Sequence, residues 1–528
     1  MKKNNIMNTK YIWLLVILLG FTACNEIEDV LEDNNVLPAE ELPALTAGTV
    51  DLSNYVSLGA SFTAGFTDGA LFKASQENSF PNILSQHFAN AGGGNFAQPL
   101  MNDNFGGLAA AGTRIQSPRL VFGGAGPVPL ESLTGSVTVS TDIVLNNPTG
   151  PFNNLGVPGA KSFHLLANGY GSLANFPAAA NPYAVRLTGA SPNASILELA
   201  MAQSPTFFTL SEIGGNDVLT YATSGGTGVD QKGNIDPTTY GGNDITDPNV
   251  FGQIFSTLVT TLTAGGAKGV VTNVPYITDL PHFTTVPHNP IPLDAATAGF
   301  LNSASAYGAY NAGIQGAFAW LVANTPMTQE MADAEIAKRT ITFSAGAGNA
   351  VVIMDEDLTD LTAINAALVS MRQATAEDLL VLPSSSFIGT EAVPGNPQTV
   401  NGVAIPLADK WVLTPEEQTA IKDATDAYNM TIKAVSDSND NVGLLDLNSI
   451  LTELASTGIT FGGFTMTANL VTGGAISLDG VHLTARGYSF MAYKFLEVID
   501  NDFGSNFIDS GNTPNPGDFP TNYSHTLQ

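Results

Sequence analysis

The chain has 528 residues, of which 44% are hydrophobic and only 12% charged, with 53 Gly and 30 Pro. This suits one large domain with insertions, or two domains, joined by many loops, and argues against a disordered chain. Eighteen basic residues against 47 acidic ones give a formal net charge of −29, so the chain should repel nucleic acid and anionic lipid headgroups, and neither is an expected partner.

Met1 to Lys10 carries three lysines, Tyr11 to Gly20 is apolar, and Phe21-Thr22-Ala23-Cys24 closes the segment. The apolar run is too short to span a bilayer comfortably and fits the h-region of a secretory signal. Cys24, the single cysteine, stands where a bacterial lipoprotein signal has its lipidated residue, although Phe21 fits less well than the Leu usual at that position. An ordinary signal with a chance cysteine is the other reading. On the lipoprotein reading, residues 1–24 are the signal ending at the acylated Cys24. The mature chain is then tethered to a membrane through lipid and holds no disulfide, although its compartment is oxidising. Asn25 to Asp33 is acidic and opens a solvated tether expected over residues 25–47. It resembles the export tag that follows the lipid cysteine in surface lipoproteins of the Bacteroidota. That resemblance implies the outer face of the outer membrane, and a linker facing the periplasm is the alternative.

The folded domain is expected over residues 48–508. A β-favouring run from Thr49 ends in Tyr55-Val56-Ser57-Leu58-Gly59, and a small-residue turn carrying Ser61 leads into a helical stretch. A turn of this kind presents a hydroxyl at the carboxyl edge of a parallel sheet, where open α/β proteins bind ligands. Phe80 to Phe88 has helical spacing. Residues 91–151 lack periodicity and read as a long insertion. Asn154 to Val157 is a short strand ended by Pro158-Gly159, and Thr206 to Leu210 is the clearest buried strand, running into Gly214-Gly215-Asn216-Asp217. Phe251 to Leu262 predicts a helix and Gly269 to Val274 a strand. Residues 284–413 read as a second insertion, with helices near Ala295–Ala323 and Gln329–Arg339. Thr414-Pro415-Glu416-Glu417 is a capped helix start, the helix running to about Ala434. Val442 to Leu447 gives a last strand, Ala485 to Val498 a final helix, and residues 509–528 a loose tail. Strands alternating with helices predict an α/β class fold, a three-layer α/β/α sandwich with a central, mostly parallel sheet.

Chemistry concentrates near the carboxyl end. In Asp479-Gly480-Val481-His482 an acid three residues before a histidine can fold back onto one imidazole nitrogen, fixing the tautomer and freeing the other nitrogen as a base. A serine, a base and an orienting acid are the minimum for nucleophilic acyl transfer. No Gly-x-Ser-x-Gly, phosphate-binding loop or zinc-spaced Cys/His cluster is present.

Four blocks in order carry a resemblance to the SGNH/GDSL-type serine hydrolases, in particular their lipoprotein branch in the Bacteroidota: Gly59-Ala60-Ser61-Phe62, Asn154 to Ala160, Gly214 to Asp217, and Asp479 to His482. The resemblance implies an esterase or lipase in which Ser61 is the nucleophile, His482 the base and Asp479 its orienting acid. The oxyanion hole would be the N–H groups of Ser61 and Gly159 with the amide of Asn216. It also implies an ester substrate (a lipid, a small acyl ester or an acetylated glycan) and no metal or organic cofactor. The chain departs from the family pattern at Ala60, where an Asp is usual, so altered support of the turn is expected. A carbohydrate O-deacetylase and a non-catalytic surface lipoprotein that binds glycan or protein are the alternatives. Two repeats of the same motifs compete: Gly241 to Asp244 lacks a preceding strand, and Asp279-Leu280-Pro281-His282 would make His282 and His288 either metal ligands with Asp279 or exposed loop histidines.

Overall fold

Five short runs pair side by side in a computed structural model that describes residues 42–189 and 191–528: β1 (Tyr55–Gly59), β2 (Asn154–Gly156), β3 (Phe207–Ser211), β4 (Lys268–Thr272) and β5 (Val442–Leu445). All four pairings are parallel, and the order across the sheet is β2-β1-β3-β4-β5. The signal, Cys24 and most of the tether lie outside the described residues. Chain contacts define a main body, Leu45–Ile508 with Asn512–Gln528. A small second unit includes Leu42–Ala44 and Asp509–Gly511, which hold no helix or strand.

The strands alternate between two hydrophobic layers, as a period of two requires. Tyr55, Phe207, Val270 and Leu445 face one core, shared with α2 (Phe80–Ala89) and α7 (Ala485–Phe503). Val56, Leu58, Phe208, Leu210 and Val271 face the other, shared with α4 (Pro248–Thr263) and α5 (Pro415–Asp437). Helices thus cover both faces, which explains why the strands are mainly apolar. The start of α5 forms as the sequence implies: Thr414 N–H donates to Glu417 Oε2 at 2.7 Å, and Pro415 occupies the first turn.

The insertions differ from expectation. Residues 91–151 contain two small hairpins, Leu108–Ala110 with Thr113–Gln116 and Leu120–Phe122 with Pro127–Pro129. Residues 284–413 build a second hydrophobic core around Ile314, Phe318, Ile341 and Ile353. The helix expected over Ala295–Ala323 is two helices, Ala295–Leu301 and Tyr307–Asn324. Between them the side chain of Asn302 exchanges hydrogen bonds with the backbone of Phe343, at 2.8 and 2.9 Å, an alternative to continuing the helix. The tail from Asn512 onward is anchored and not loose. Tyr523 is buried edge-on against Phe72 at 4.9 Å, and the buried Arg119 guanidinium donates to the carbonyls of Tyr523, Ser524 and Leu527. Among the described residues no helix is long and apolar enough to cross a membrane.

The close approach of β1 to the helical turn after it is testable. A Cβ on Gly59 would lie 2.1 Å from Thr63 Oγ1 and 2.6 Å from the Ser211 carbonyl oxygen. Gly59→Ala is therefore expected to lower the unfolding free energy by about 2 kcal/mol in urea titrations; an unchanged midpoint would mean the turn is looser than described.

Candidate active site

In a parallel sheet of order 2-1-3-4-5, the strands on either side of β1 are reached by connections leaving in opposite directions, and the crevice opens at the carboxyl ends of β1 and β3. The first two blocks of interest come from β1 and its neighbour β2. β1 ends at Gly59, and Ser61 begins the single helical turn α1 (Ser61–Ala64). The Val157 N–H donates to the Gly59 carbonyl at 3.0 Å, and the Asn154 amide donates to the Thr63 carbonyl at 2.8 Å. These bonds lock the β2 loop against the serine turn.

Ala60 makes no side-chain cap to α1. Glu212, just past the end of β3, caps it from the neighbouring strand. Its Oε1 accepts the N–H groups of Ala60 at 2.6 Å and Thr63 at 3.0 Å, while its own N–H donates to Thr272 Oγ1 at 2.8 Å. The serine turn is thus supported by a carboxyl supplied from residue 212. The Ser61 N–H is not taken by this cap. Glu212 has φ +53°, a strained conformation for a non-glycine residue, of the kind that concentrates at functional sites. Its second oxygen is buried without a hydrogen-bond partner. Burial pushes this carboxyl up to about 8, against the hydrogen bonds from Thr63 and Ala60.

β3 also delivers Asn216, in the first turn of α3 (Gly215–Thr223). Its Nδ2 donates to the Ala160 carbonyl at 2.9 Å, and Asp217 beside it accepts Ser162 N–H at 2.8 Å and Ser162 Oγ–H at 2.6 Å. Asn216 and Asp217 together grip the loop that carries the exposed Gly159.

Asp479 is held by five donors. Its Oδ1 accepts Ser477 Oγ–H at 3.0 Å and the N–H groups of Val481 at 2.9 Å and His482 at 2.8 Å. Its Oδ2 accepts Gly69 N–H at 2.8 Å and lies 2.9 Å from His482 Nδ1. Burial raises its pKa, but the facing imidazole and these hydrogen bonds outweigh burial and hold the carboxyl far below the usual range. The acid–histidine pair is therefore built as its spacing implies, with Nδ1 facing the carboxylate and Nε2 left for other work.

The segment after the serine turn is laced to this loop. Thr67 Oγ1–H donates to the Leu483 carbonyl at 2.8 Å, Asp68 N–H to Ser477 Oγ at 3.1 Å, Leu478 N–H to Asp68 Oδ1 at 3.1 Å, and Tyr488 O–H to the Phe66 carbonyl at 2.6 Å. The His482 ring packs against Phe66 at 4.6 Å and Phe62 at 5.9 Å between centroids. Ser61 Oγ and His482 Nε2 form no hydrogen bond with each other or with any other described residue; such contacts are often long before substrate enters.

Ser61, Glu212 and Asn216 line a narrow cavity of about 100 Å³. Most of the rest of its wall is apolar: Leu219 of α3, Ile277 and Leu280, then Ile450, Leu451 and Leu454 of α6 (Leu447–Ser456), with Phe490 and Met491 of α7, and Lys494 of α7 also lines it. Pro275, just after β4, lines it as well. Gly159 lies outside this wall.

The competing motifs serve the scaffold. His282 is buried and not an exposed loop histidine. Its N–H donates to the Gly480 carbonyl at 3.0 Å, and its Nδ1 lies 3.4 Å from the Asp479 carbonyl oxygen, so it buttresses the Asp479–His482 loop and makes no hydrogen bond to Asp279. Gly480 must be glycine here: φ is +76°, and a Cβ would meet the His282 nitrogen at 2.9 Å. His288 is half-buried and joins no group of potential metal ligands among the described residues. Asp244 caps its own loop through the N–H groups of Val229 and Gly241. Sequence reasoning passed over Glu212, whose one signal is a carboxylate closing an otherwise apolar strand.

A scan against protein-family models, a search of curated proteins and a search of solved structures each return no match to this chain.

The buried carboxyls fix a pH dependence. Burial also pushes Asp68 up to about 7, opposed by the Leu478 N–H and reinforced by the charge of Asp479. For Glu212 and Asp68 the folded pKa lies above the unfolded one, so the stability they contribute is complete below pH ~4 and is lost as pH rises through 7 to 8. Asp479 has the opposite sign, and its contribution disappears only on strong acidification. Stability in urea should fall between about pH 5 and pH 9, and Glu212→Gln should reduce that fall by on the order of 2 kcal/mol. Parallel stability–pH curves for the two proteins would contradict this.

Proposed function

We propose that this chain is a serine ester hydrolase with an SGNH-like fold that cleaves esters of apolar acyl groups. The observation that carries this reading is the meeting, at the carboxyl ends of β1 and β3, of the Ser61 turn, the Asn216 helix turn and the Asp479–His482 loop, against a cavity whose wall is mostly apolar. Ser61 Oγ attacks the ester carbonyl carbon as its proton passes to His482 Nε2. Asp479 holds the imidazole tautomer and balances the imidazolium that forms. The negative charge on the carbonyl oxygen is met by the Ser61 N–H, which the Glu212 cap leaves unused, by the Asn216 amide and by the Gly159 N–H. Collapse expels the alcohol with the proton from His482. Water, deprotonated by the same nitrogen, then releases the acid and restores Ser61.

The apolar wall favours this reading over deacetylation of a glycan, since an acetyl group would leave the wall wet and unused. Attachment to a membrane through a lipidated Cys24, and exposure at the cell surface, belong to the same proposal and rest on the amino-terminal sequence.

Two experiments test the reading. Ser61→Ala should abolish hydrolysis of aryl esters and labelling by a fluorophosphonate, and Asn216→Ala should lower kcat by about 10²–10³; labelling of the Ser61→Ala protein would remove Ser61 from its role. Across a p-nitrophenyl ester series, kcat/KM should rise from acetate to octanoate. Leu451→Trp, which fills the aliphatic end, should cut the octanoate value by about tenfold or more while sparing acetate. A preference for acetate in the unmodified protein would favour the deacetylase.

A further inference from the structure

Away from the cavity, three carboxylates from separated segments converge. Glu356 follows the short strand Val352–Met354 of the second core, Asp409 precedes Trp411, and Glu417 stands in the first turn of α5. One oxygen of each lies within 4.8 Å of the other two. Acidic side chains often cluster without consequence, but two features set this group apart. Glu417 is only 4% exposed, and its Oε1 has no hydrogen-bond partner, while Oε2 is occupied by Thr414 N–H and Oγ1–H. Asp409 Oδ1 is buried and equally without a partner.

None of the three carboxylates forms an ion pair among the described residues. Burial, with the neighbouring Glu356 and Asp355 adding repulsion, pushes Asp409 up to about 7. A buried carboxylate left unpaired is expensive. Either shared protons or a cation must relieve the repulsion.

We propose that Glu356, Asp409 and Glu417 bind one calcium ion. The donor set is all oxygen and carries three formal negative charges, the chemistry a hard divalent cation selects. The spacing fits: calcium–oxygen bonds of about 2.3–2.6 Å put two ligands on opposite sides of one ion roughly 4.6–5.2 Å apart. The exposure of Glu356 leaves one side open for the waters that complete six to eight ligands. The ion would clamp the second core to α5 and to the carboxyl end of α3, where a Cβ on Gly226 would sit 1.5 Å from Glu417 Oε1. Asn216 lies at the other end of that helix.

The test titrates calcium chloride into the full chain after EDTA treatment, in about 0.1 M salt to suppress diffuse attraction by the net negative charge. Calorimetry should give one site, and the thermal midpoint should rise by at least about 2 °C at saturation. Terbium should bind competitively and luminesce through the nearby Trp411 or Tyr221. Glu356→Gln alters only the exposed ligand and should fold normally while weakening binding by on the order of tenfold or more. Glu417→Gln should abolish binding in protein whose circular dichroism matches the unmodified chain. No saturable heat at millimolar calcium, or equal binding by Glu356→Gln, would overturn the proposal and leave shared protons as the neutralising device.

Discussion

One buried carboxylate holds the molecule's two ends in register. Asp479 takes hydrogen bonds from its own loop and from Gly69, 410 residues earlier, and it orients His482 with the oxygen that Gly69 also reaches. The energetics are lopsided. A buried, charged acceptor with all its donors present is stable, but each donor removed leaves desolvated charge behind, at about 1–3 kcal/mol or more. The surrounding bonds from Thr67, Asp68 and Tyr488 are best seen as protection for that arrangement, since together they stop the residue 66–69 segment from drifting away from the loop it supports.

The same economy recurs at the serine turn. Where an Asp beside the serine would cap the turn locally, Ala60 leaves it open, and Glu212 closes it from the next strand. The cap on this turn is therefore a long-range one. The consequence is a site whose geometry depends on the β1–β3 pairing as well as on the turn. The positive φ of Glu212 suggests that strain is spent to deliver the carboxyl there.

What the sequence made legible was whatever is written locally. Strand ends marked by glycine, the capped start of α5, the turn after β1 and the Asp–x–x–His spacing all involve neighbours within a few residues, and local physics dictates them. The sheet was legible too, because strands covered on both faces are mainly apolar runs. The roles of Ser61, Gly159 and Asn216 stay proposals, although the chain does gather their segments. The rest depended on partners far away in sequence. Glu212 caps Ala60 across 152 residues, His282 braces Gly480 across 198, and Asn302 breaks a helix by binding Phe343. The tail read as loose because its anchor, Arg119, lies some 400 residues upstream. A second core assembled from short, interrupted segments leaves no periodic trace.

The span between Asp68 and Leu478 also sets a timetable. Loop closure over four hundred residues grows costlier only logarithmically, so it is affordable at equilibrium, but it cannot begin before both partners exist. During synthesis the Ser61 turn emerges hundreds of residues before His482. A nascent chain therefore presents Ser61 without His482, and the two can share a site only after nearly the whole polypeptide has been made and closed upon itself.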